Sequence, residues 1–293
     1  DLMSKWSEID GFLPKLKGIN GIADLFCMVD SYGGITSNEV KELLIEVRKY
    51  TNVPIGFHGH NNLQLSLANT LTAMDHGIDY VDATIMGMGR GAGNLKMELL
   101  LTYLNKHKGL EVNFNTLGNV ITAFTPLFKK YHWGTNLPYM LSGANNIPQK
   151  EVMDWVTNRV YSFNSIVRAL DNRKNKTKDN ARFPIFYIKK KFNKVIIIGG
   201  GPNAIEHKEA IKEFITNQPN TAIVFATARH ANTYLDTNIS QYYCLVGNEG
   251  DRLTQNVGAN KFKGICILPP YPRTMGTEVP EYAKEATFEL QTI

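Results

Sequence analysis

Several things are scarce or missing in this sequence, and each absence narrows what the chain can be. No apolar run approaches the ~18 residues of a membrane-spanning helix, so no membrane partner is expected. The opening DLMSKWSEID has no basic segment followed by an apolar one, the mark of a secretory leader. Only three cysteines occur, Cys27, Cys244 and Cys266. They lie far apart in apolar, strand-like runs and read as reduced core thiols of a cytoplasmic protein. Excess charge is small, at +5, and the basic residues gather in 168–194. That stretch reads as a solvated linker rather than a nucleic-acid face. An initiator Met is absent too: the chain starts at Asp1, on what reads as the end of a strand.

What is present is a regular alternation. ADLFCMVD (23–30), VPIGFH (53–58) and DYVDATIMG (79–87) have strand length and apolar character. Between and after them, SNEVKELLIEVRKY (37–50), NLQLSLANTLTAMDHG (62–77) and NLKMELLLTYLNKH (94–107) have helical periodicity. Val40, Leu43, Leu44 and Val47 share one helix face, and Thr36 with Glu39 forms a capping box. Strands and helices alternating over such short connections imply an α/β fold with a parallel sheet. Residues 111–172 read as helical and irregular, with NLPYMLSGANN (136–146) as a loop, and 173–192 as the basic linker. From 193 a second βαβ unit begins: KVIIIG (194–199), a GGPN turn, helix 204–217 and strand TAIVFAT (221–227). YYCLVG (242–247) and GICILP (264–269) extend its sheet to give a Rossmann-like domain over 193–293, which the sequence leaves open as truncated.

Parallel sheets collect function at the C-terminal ends of their strands. In the first hundred residues those ends are Asp30-Ser31, His58-Gly59-His60 and the loop GMGRGAGN (87–94). A His-x-His pair at a strand end sends both imidazoles to one side, and imidazole suits Mn, Fe, Zn, Co or Ni. Gly59 leaves room beside such ligands. Two histidines satisfied by hydrogen bonds in a loop is the plainer alternative. Asp30 is a candidate carboxylate for the ion, or a cap for the SYGG turn; Ser31 is a candidate substrate contact, or part of the same turn. Gly91, Gly93 and Asn94 allow a loop to approach an anion closely, or simply make a tight turn that Asn94 caps. In the second domain Gly199, Gly201 and Ala204 fit G-x-G-x-x-A between a strand and a helix, a candidate phosphate site. No acidic residue ends the following strand, so a ribose partner for a dinucleotide is missing.

Together VDSYGG and GFHGHNNLQLSLANTLTAMDHGIDYVDATIMGMGRGAGN resemble the HMG-CoA-lyase-like (DRE-TIM) metal-dependent aldolases and synthases, and among them most nearly the 4-hydroxy-2-oxovalerate aldolases. The resemblance covers about residues 20–105 and continues weakly to about 170. It implies that residues 1–110 are the C-terminal part, strands six to eight, of a (β/α)8 barrel, with 111–172 its helical extension. It implies that His58 and His60 ligate a divalent ion, Mn²⁺ or Mg²⁺, that His58 and Ser31 contact a 2-oxo acid, and that Tyr139 contacts the substrate from beyond the barrel. The implied reaction makes or breaks a carbon–carbon bond between a 2-oxo acid and an aldehyde. The related synthases carry a Glu-Arg pair in the last glycine loop; Arg90-Gly91-Ala92 stands here and favours the aldolase branch. In the family the third ligand (an Asp), its neighbouring Arg and the general base lie on the first strands, which this sequence lacks. Asp30 is then expected to support the ligands rather than bind the ion. Three strands cannot close a barrel, so the chain is expected to be a fragment, inactive alone, with about five strands upstream. The second domain resembles that of archaeal-type 6-hydroxymethylpterin diphosphokinases, with fold and phosphate binding as the only implications. No equivalent of the helical domain that docks an aldehyde dehydrogenase is visible, so channelling to that partner is not expected, and homo-oligomerisation stays open. An acyl-CoA-dependent Claisen synthase and a non-catalytic nucleotide-binding protein with a vestigial barrel are the alternatives.

Overall fold

The apolar runs of the first hundred residues form three parallel strands, preceded by a short helix, α1 (Phe12–Lys15). The computed structural model describes residues 3–6, 11–157, 161–188, 190–218, 220–273 and 275–291, and the chain divides into two units, Asp1–Val160 and Tyr161–Ile293. In the first unit β1 (Phe26–Asp30) pairs with β2 (Ile55–Gly59), and β2 with β3 (Tyr80–Val81), in the order β1-β2-β3. Asp30 stands beside Gly59, and Phe57 beside Val81. The start of the chain, expected as a strand end, is a 3-10 turn at Met3–Lys5; residues 1 and 2 lie outside the described residues.

Helix α2 (Ser37–Val47) starts where the capping box predicts. The Thr36 hydroxyl accepts from the Glu39 amide at 3.4 Å, and the Thr36 amide donates to the Glu39 carboxylate at 2.8 Å. Val40, Leu44 and Val47 are buried, and Leu43 packs at the edge of the same core. They meet Met28, Ile55 and Phe57 from the sheet and Ala73 from α3 (Ser66–Asp75). Full burial of each larger apolar side chain here stabilises by about 1.5–3 kcal/mol, as an upper bound.

The third strand is shorter than its apolar run. After Asp82 the chain leaves β2 and binds its own returning loop: the Thr84 amide donates to Leu95 O at 2.9 Å and the Met97 amide to Thr84 O at 2.9 Å. A 3-10 turn at Ile85–Gly87 follows, with Met86 left-handed at φ 55°. The chain continues through α4 (Met97–Lys108), α5 (Phe114–Tyr131), α6 (Leu137–Ala144) and α7 (Gln149–Thr157). Helix α6 replaces the loop expected over 136–146. Asn136 accepts from the Tyr139 amide at 3.1 Å, and Pro138 sits in the first turn. Asn136 and Pro138 are thus a helix start.

In the second unit α8 (Phe163–Lys174) leads into the basic stretch, and both make hydrogen bonds to later parts of the unit. Arg168 pairs with Asp179 at 3.3 Å, and Asn172 donates to Asp179 and Glu278, each at 2.9 Å. The Phe186 amide donates to Glu289 O at 2.8 Å. Polar side chains in this stretch are thus used internally, which composition alone does not reveal.

The second sheet comprises β4 (Lys194–Ile198), β5 (Thr221–Phe225), β6 (Ser240–Cys244), β7 (Ile265–Leu268) and β8 (Thr287–Glu289), all parallel. Their order is β4-β5-β6-β7-β8, without reversal. A Rossmann sheet reverses its order and binds ligands at the reversal, so this topology departs from that expectation. The helix after the glycine turn is broken as well, into α9 (Asn203–Glu206) and α10 (Lys208–Thr216). Ile223, Phe225, Tyr243, Leu245 and Leu268 face the core with Leu253 of α11 (Glu249–Asn256). Among the described residues no helix is long and apolar enough to cross a membrane.

Candidate active site

The C-terminal ends of β1, β2 and β3 form one rim. The backbone rises there from a buried, β-rich centre into polar turns, so polar side chains are held on a rigid base. Strand β2 delivers His58 and, one residue past its end, His60; their rings meet edge to face with centroids 4.9 Å apart. The two imidazoles are therefore neighbours, as a pair two residues apart on a strand must be.

Each ring has its Nδ1 engaged. His60 Nδ1 donates to the Asp30 carbonyl at 2.9 Å, with the Ser31 backbone also in its reach. His58 Nδ1 lies 2.6 Å from Asp82 Oδ1. A proton on Nδ1 leaves Nε2 with its lone pair, the arrangement that orients metal-ligating histidines. Burial lowers the pKa of His60, and neighbouring His58 and Arg90 lower it further, which favours the neutral, ligating form.

Asp30 has its carboxylate engaged by its own turn. Its side chain is buried, and its oxygens accept from the amides of Gly34 at 3.3 Å and Ile35 at 3.2 Å. Burial raises its pKa, and the backbone N–H groups of the 32–35 turn oppose the rise. The cap reading of Asp30 is the one realised, while its carbonyl holds His60. Gly33 is needed by the same turn: it has φ +62°, and a Cβ would stand 2.6 Å from Asn62 Oδ1. Gly59 has another use than leaving space for a ligand. A Cβ there would meet the Phe57 ring at 3.2 Å and the α3 backbone at Ser66 at 3.6 Å, so glycine lets the helix start close to the strand.

The glycine loop is bound to the histidine strand. The Asn61 amide donates to Gly93 O at 2.9 Å, and His60 and Asn94 form an antiparallel bridge. The Gly93 and Asn94 amides are occupied by Arg90 O and Gly87 O, both at 3.0 Å, so these two amides are not anion donors. Gly91 and Gly93 have φ +56° and +75°; a Cβ on Gly91 would meet the Gln149 amide, and one on Gly93 would lie 2.4 Å from Gly87 O. Asn94 donates to Met88 O at 3.0 Å, while its Oδ1 is buried without a hydrogen-bond partner.

Tyr139 on α6 is buried, and burial raises its pKa. Its carbonyl accepts from Asn62 Nδ2 at 2.9 Å, so it reaches the rim through Asn62. The structure thus gathers Asp30, Ser31, His58, His60 and the 87–94 loop, with Tyr139 behind them. Sequence reasoning missed Asp82. The signal was the register, since the pair after Phe57↔Val81 sets residue 82 beside His58.

Among the described residues no three His, Cys, Asp or Glu side chains come together as a metal cage. The rim still fits part of one. Two Nδ1-anchored imidazoles and an orphaned amide oxygen, that of Asn94, are donors of the types a divalent ion accepts.

In the second unit the expected phosphate loop differs in character. Gly199 and Gly201 lack a positive φ, and a Cβ on either would touch nothing within 4 Å. Arg229 and His230 both donate to Gly200 O, at 3.3 and 3.2 Å. The Ala204 carbonyl accepts from the Tyr234 hydroxyl. Glu249, buried, binds the Thr227 hydroxyl at 2.9 Å, the Ala228 amide at 2.8 Å and Arg252.

Comparison with known proteins fits the first unit. Residues 17–122 match the HMGL-like family model. The chain is 45% identical over 110 residues to 4-hydroxy-2-oxovalerate aldolase of Pelotomaculum thermopropionicum, covering 37% of this chain and 32% of that protein. It is 43% identical over 79 residues to oxaloacetate decarboxylase of Mycobacterium tuberculosis, covering 27% and 24%. A crystal structure of the N-terminal domain of a candidate aldolase from Bacteroides vulgatus is 78% identical, with a TM-score of 0.53, over 57% of this chain and 55% of that one. The chain spans about a quarter to a third of the curated relatives it matches. Residues 17–122 thus match the HMGL-like family model and are similar to part of an aldolase and of a decarboxylase.

Proposed function

We propose that the protein is a metal-dependent carbon–carbon lyase acting on a 2-oxo acid. The observation that carries this is the histidine pair: both Nδ1 atoms are tied back into the fold at one rim, leaving two Nε2 atoms for an ion. His58 and His60 would hold a divalent cation, Mn²⁺ or Mg²⁺, and Asn94 Oδ1 is the chemically suited neighbour. Such a cation, when bound, supplies Lewis-acid polarisation of the keto group.

The chain's own residues do the remaining work assigned to this unit. Asp30 fixes the 31–35 turn through its carboxylate and His60 through its carbonyl. Ser31, at the tip of β1, is assigned to the substrate carboxylate. The 87–94 loop walls the rim, and its glycine conformations keep Asn94 against the histidine strand. Aldol cleavage of a 4-hydroxy-2-oxo acid and decarboxylation of oxaloacetate both leave the electron pair of the broken bond on the carbon next to the keto group. The similarity to both kinds of enzyme therefore supports one electrophilic site and leaves the departing group, aldehyde or carbon dioxide, to be tested. A Claisen reaction with an acyl-CoA finds less support, because the loop carries Arg90-Gly91-Ala92. In the second unit the Gly199, Gly201 and Ala204 loop is the proposed phosphate site.

The test uses the natural protein at full length. Pyruvate release from 4-hydroxy-2-oxovalerate and from oxaloacetate is measured with and without Mn²⁺. The expected outcome is metal-dependent release from one of them, with His58→Ala and His60→Ala each lowering kcat/KM by about 100-fold or more. If both variants keep metal content and activity, the lyase reading fails.

A further inference from the structure

The two histidines are oriented by different means. His60 leans on backbone carbonyls of the buried β1 end, which no side-chain change removes. His58 leans on a side chain, the carboxylate of Asp82, which is 58% exposed just past β3. The placement follows from the sheet. The Asp82 amide donates to Phe57 O at 3.5 Å and continues the β2–β3 ladder by one step. Paired residues of parallel strands share a face, so the Asp82 carboxylate and the His58 ring emerge side by side.

We propose that Asp82 is the positioning residue of the rim. It holds His58 as the Nδ1–H tautomer and aims Nε2 toward the site, without touching substrate or ion itself. A bond to a carboxylate this exposed contributes little to stability, at most about 1 kcal/mol. The pair is therefore poorly explained as a stability device. At 2.6 Å it is short for a charge-assisted bond to an imidazole, and it decides which nitrogen of His58 is available. The segment just past the third strand thereby acts on the site through the second. The inference rests on the lyase reading for its purpose, and on the hydrogen bond alone for its geometry.

The experiment reads the tautomer directly. Long-range ¹H–¹⁵N correlation spectra of the ¹⁵N-labelled 293-residue chain report which ring nitrogen of each histidine carries the proton. The expected result is Nδ1–H for both rings. In Asp82→Ala the His58 signals move toward the Nε2–H pattern, and those of His60 stay. Asp82→Asn, whose amide oxygen still accepts from Nδ1, keeps the parent pattern. Asp82→Ser, too short to reach the ring, repeats the alanine result if the alanine variant does not fold. With Co²⁺ as probe, Asp82→Ala lowers affinity by about 10- to 100-fold, and Asp82→Asn by only a few-fold. An unchanged His58 pattern in Asp82→Ala or Asp82→Ser overturns the proposal, as does equal loss of the pattern in the Asn variant. If His58 follows Asp82 while His58→Ala leaves Co²⁺ binding unaltered, the positioning role stands and the metal-lyase reading fails.

Discussion

Both units of this chain end parallel strands in glycine-rich loops, yet the two rims use their polar groups in opposite ways. In the first, anchoring bonds hold the imidazoles by one nitrogen and leave the other for something outside the chain, and Asn94 Oδ1 is buried without a partner. In the second, the polar groups satisfy one another: Glu249 with Thr227, Ala228 and Arg252, and Arg229 and His230 with Gly200. Glycine divides the same way. Gly33, Gly91 and Gly93 are required by left-handed backbone and close neighbours, whereas Gly199 and Gly201 have open space around them. The lesson is that a rim is read from what its polar atoms still lack, not from the residue types it collects.

Substitutions can break or sharpen this contrast. The largest effect is expected at Glu249. Glu249→Ala leaves Arg252, the Ala228 amide and the Thr227 hydroxyl without their acceptor, and costs the second unit about 3 kcal/mol. All three tryptophans, Trp6, Trp133 and Trp155, belong to the first unit, so fluorescence reports that unit alone. Urea unfolding followed by circular dichroism should show an earlier transition, with the tryptophan transition unmoved; coincident shifts would mean that the two units unfold together. Next comes Gly93→Ala, which forces a Cβ to 2.4 Å from Gly87 O at φ +75°. It should cost about 2 kcal/mol, read this time in the tryptophan transition, because the loop must move from its bond to Asn61. The smallest effect is expected at Gly201→Ala, within about 0.5 kcal/mol of the parent or slightly stabilising, since neither φ nor contact requires glycine there. A loss above 1 kcal/mol would show that this loop is as tightly specified as the first and would erase the difference between the rims.

Much of the first unit was legible along the chain. The periodicity of 37–50 and the Thr36/Glu39 box located α2, and the three apolar runs located the strands, because these signals are local and the helix and strand periods differ. The stretch 136–146 reads as a loop because Asn, Pro and Gly mark turns as well as helix ends, and here Asn136 and Pro138 start α6. Charge density marks the stretch after 172 as polar but not the long-range bonds around it: Asn172 to Glu278 and the Phe183 amide to Glu289 each join residues about a hundred positions apart. The strand β8, three residues long, carries too short a pattern to be seen.

The sequence by itself determined the chemical types at the first rim and their sharing of one edge: His58 and His60 point the same way because strand side chains alternate with period two, and parallel strands bring their C-terminal ends together. Only the tertiary structure decided what each group does there. It turned the Asp30 carboxylate inward to the 32–35 turn and placed Asp82 against His58. It also kept β4 to β8 in sequential order, so the second glycine loop has no switch point beside it. The physical reason is that hydrogen-bond acceptors are assigned by register and packing between distant segments, and neither quantity is written in any one stretch of the chain.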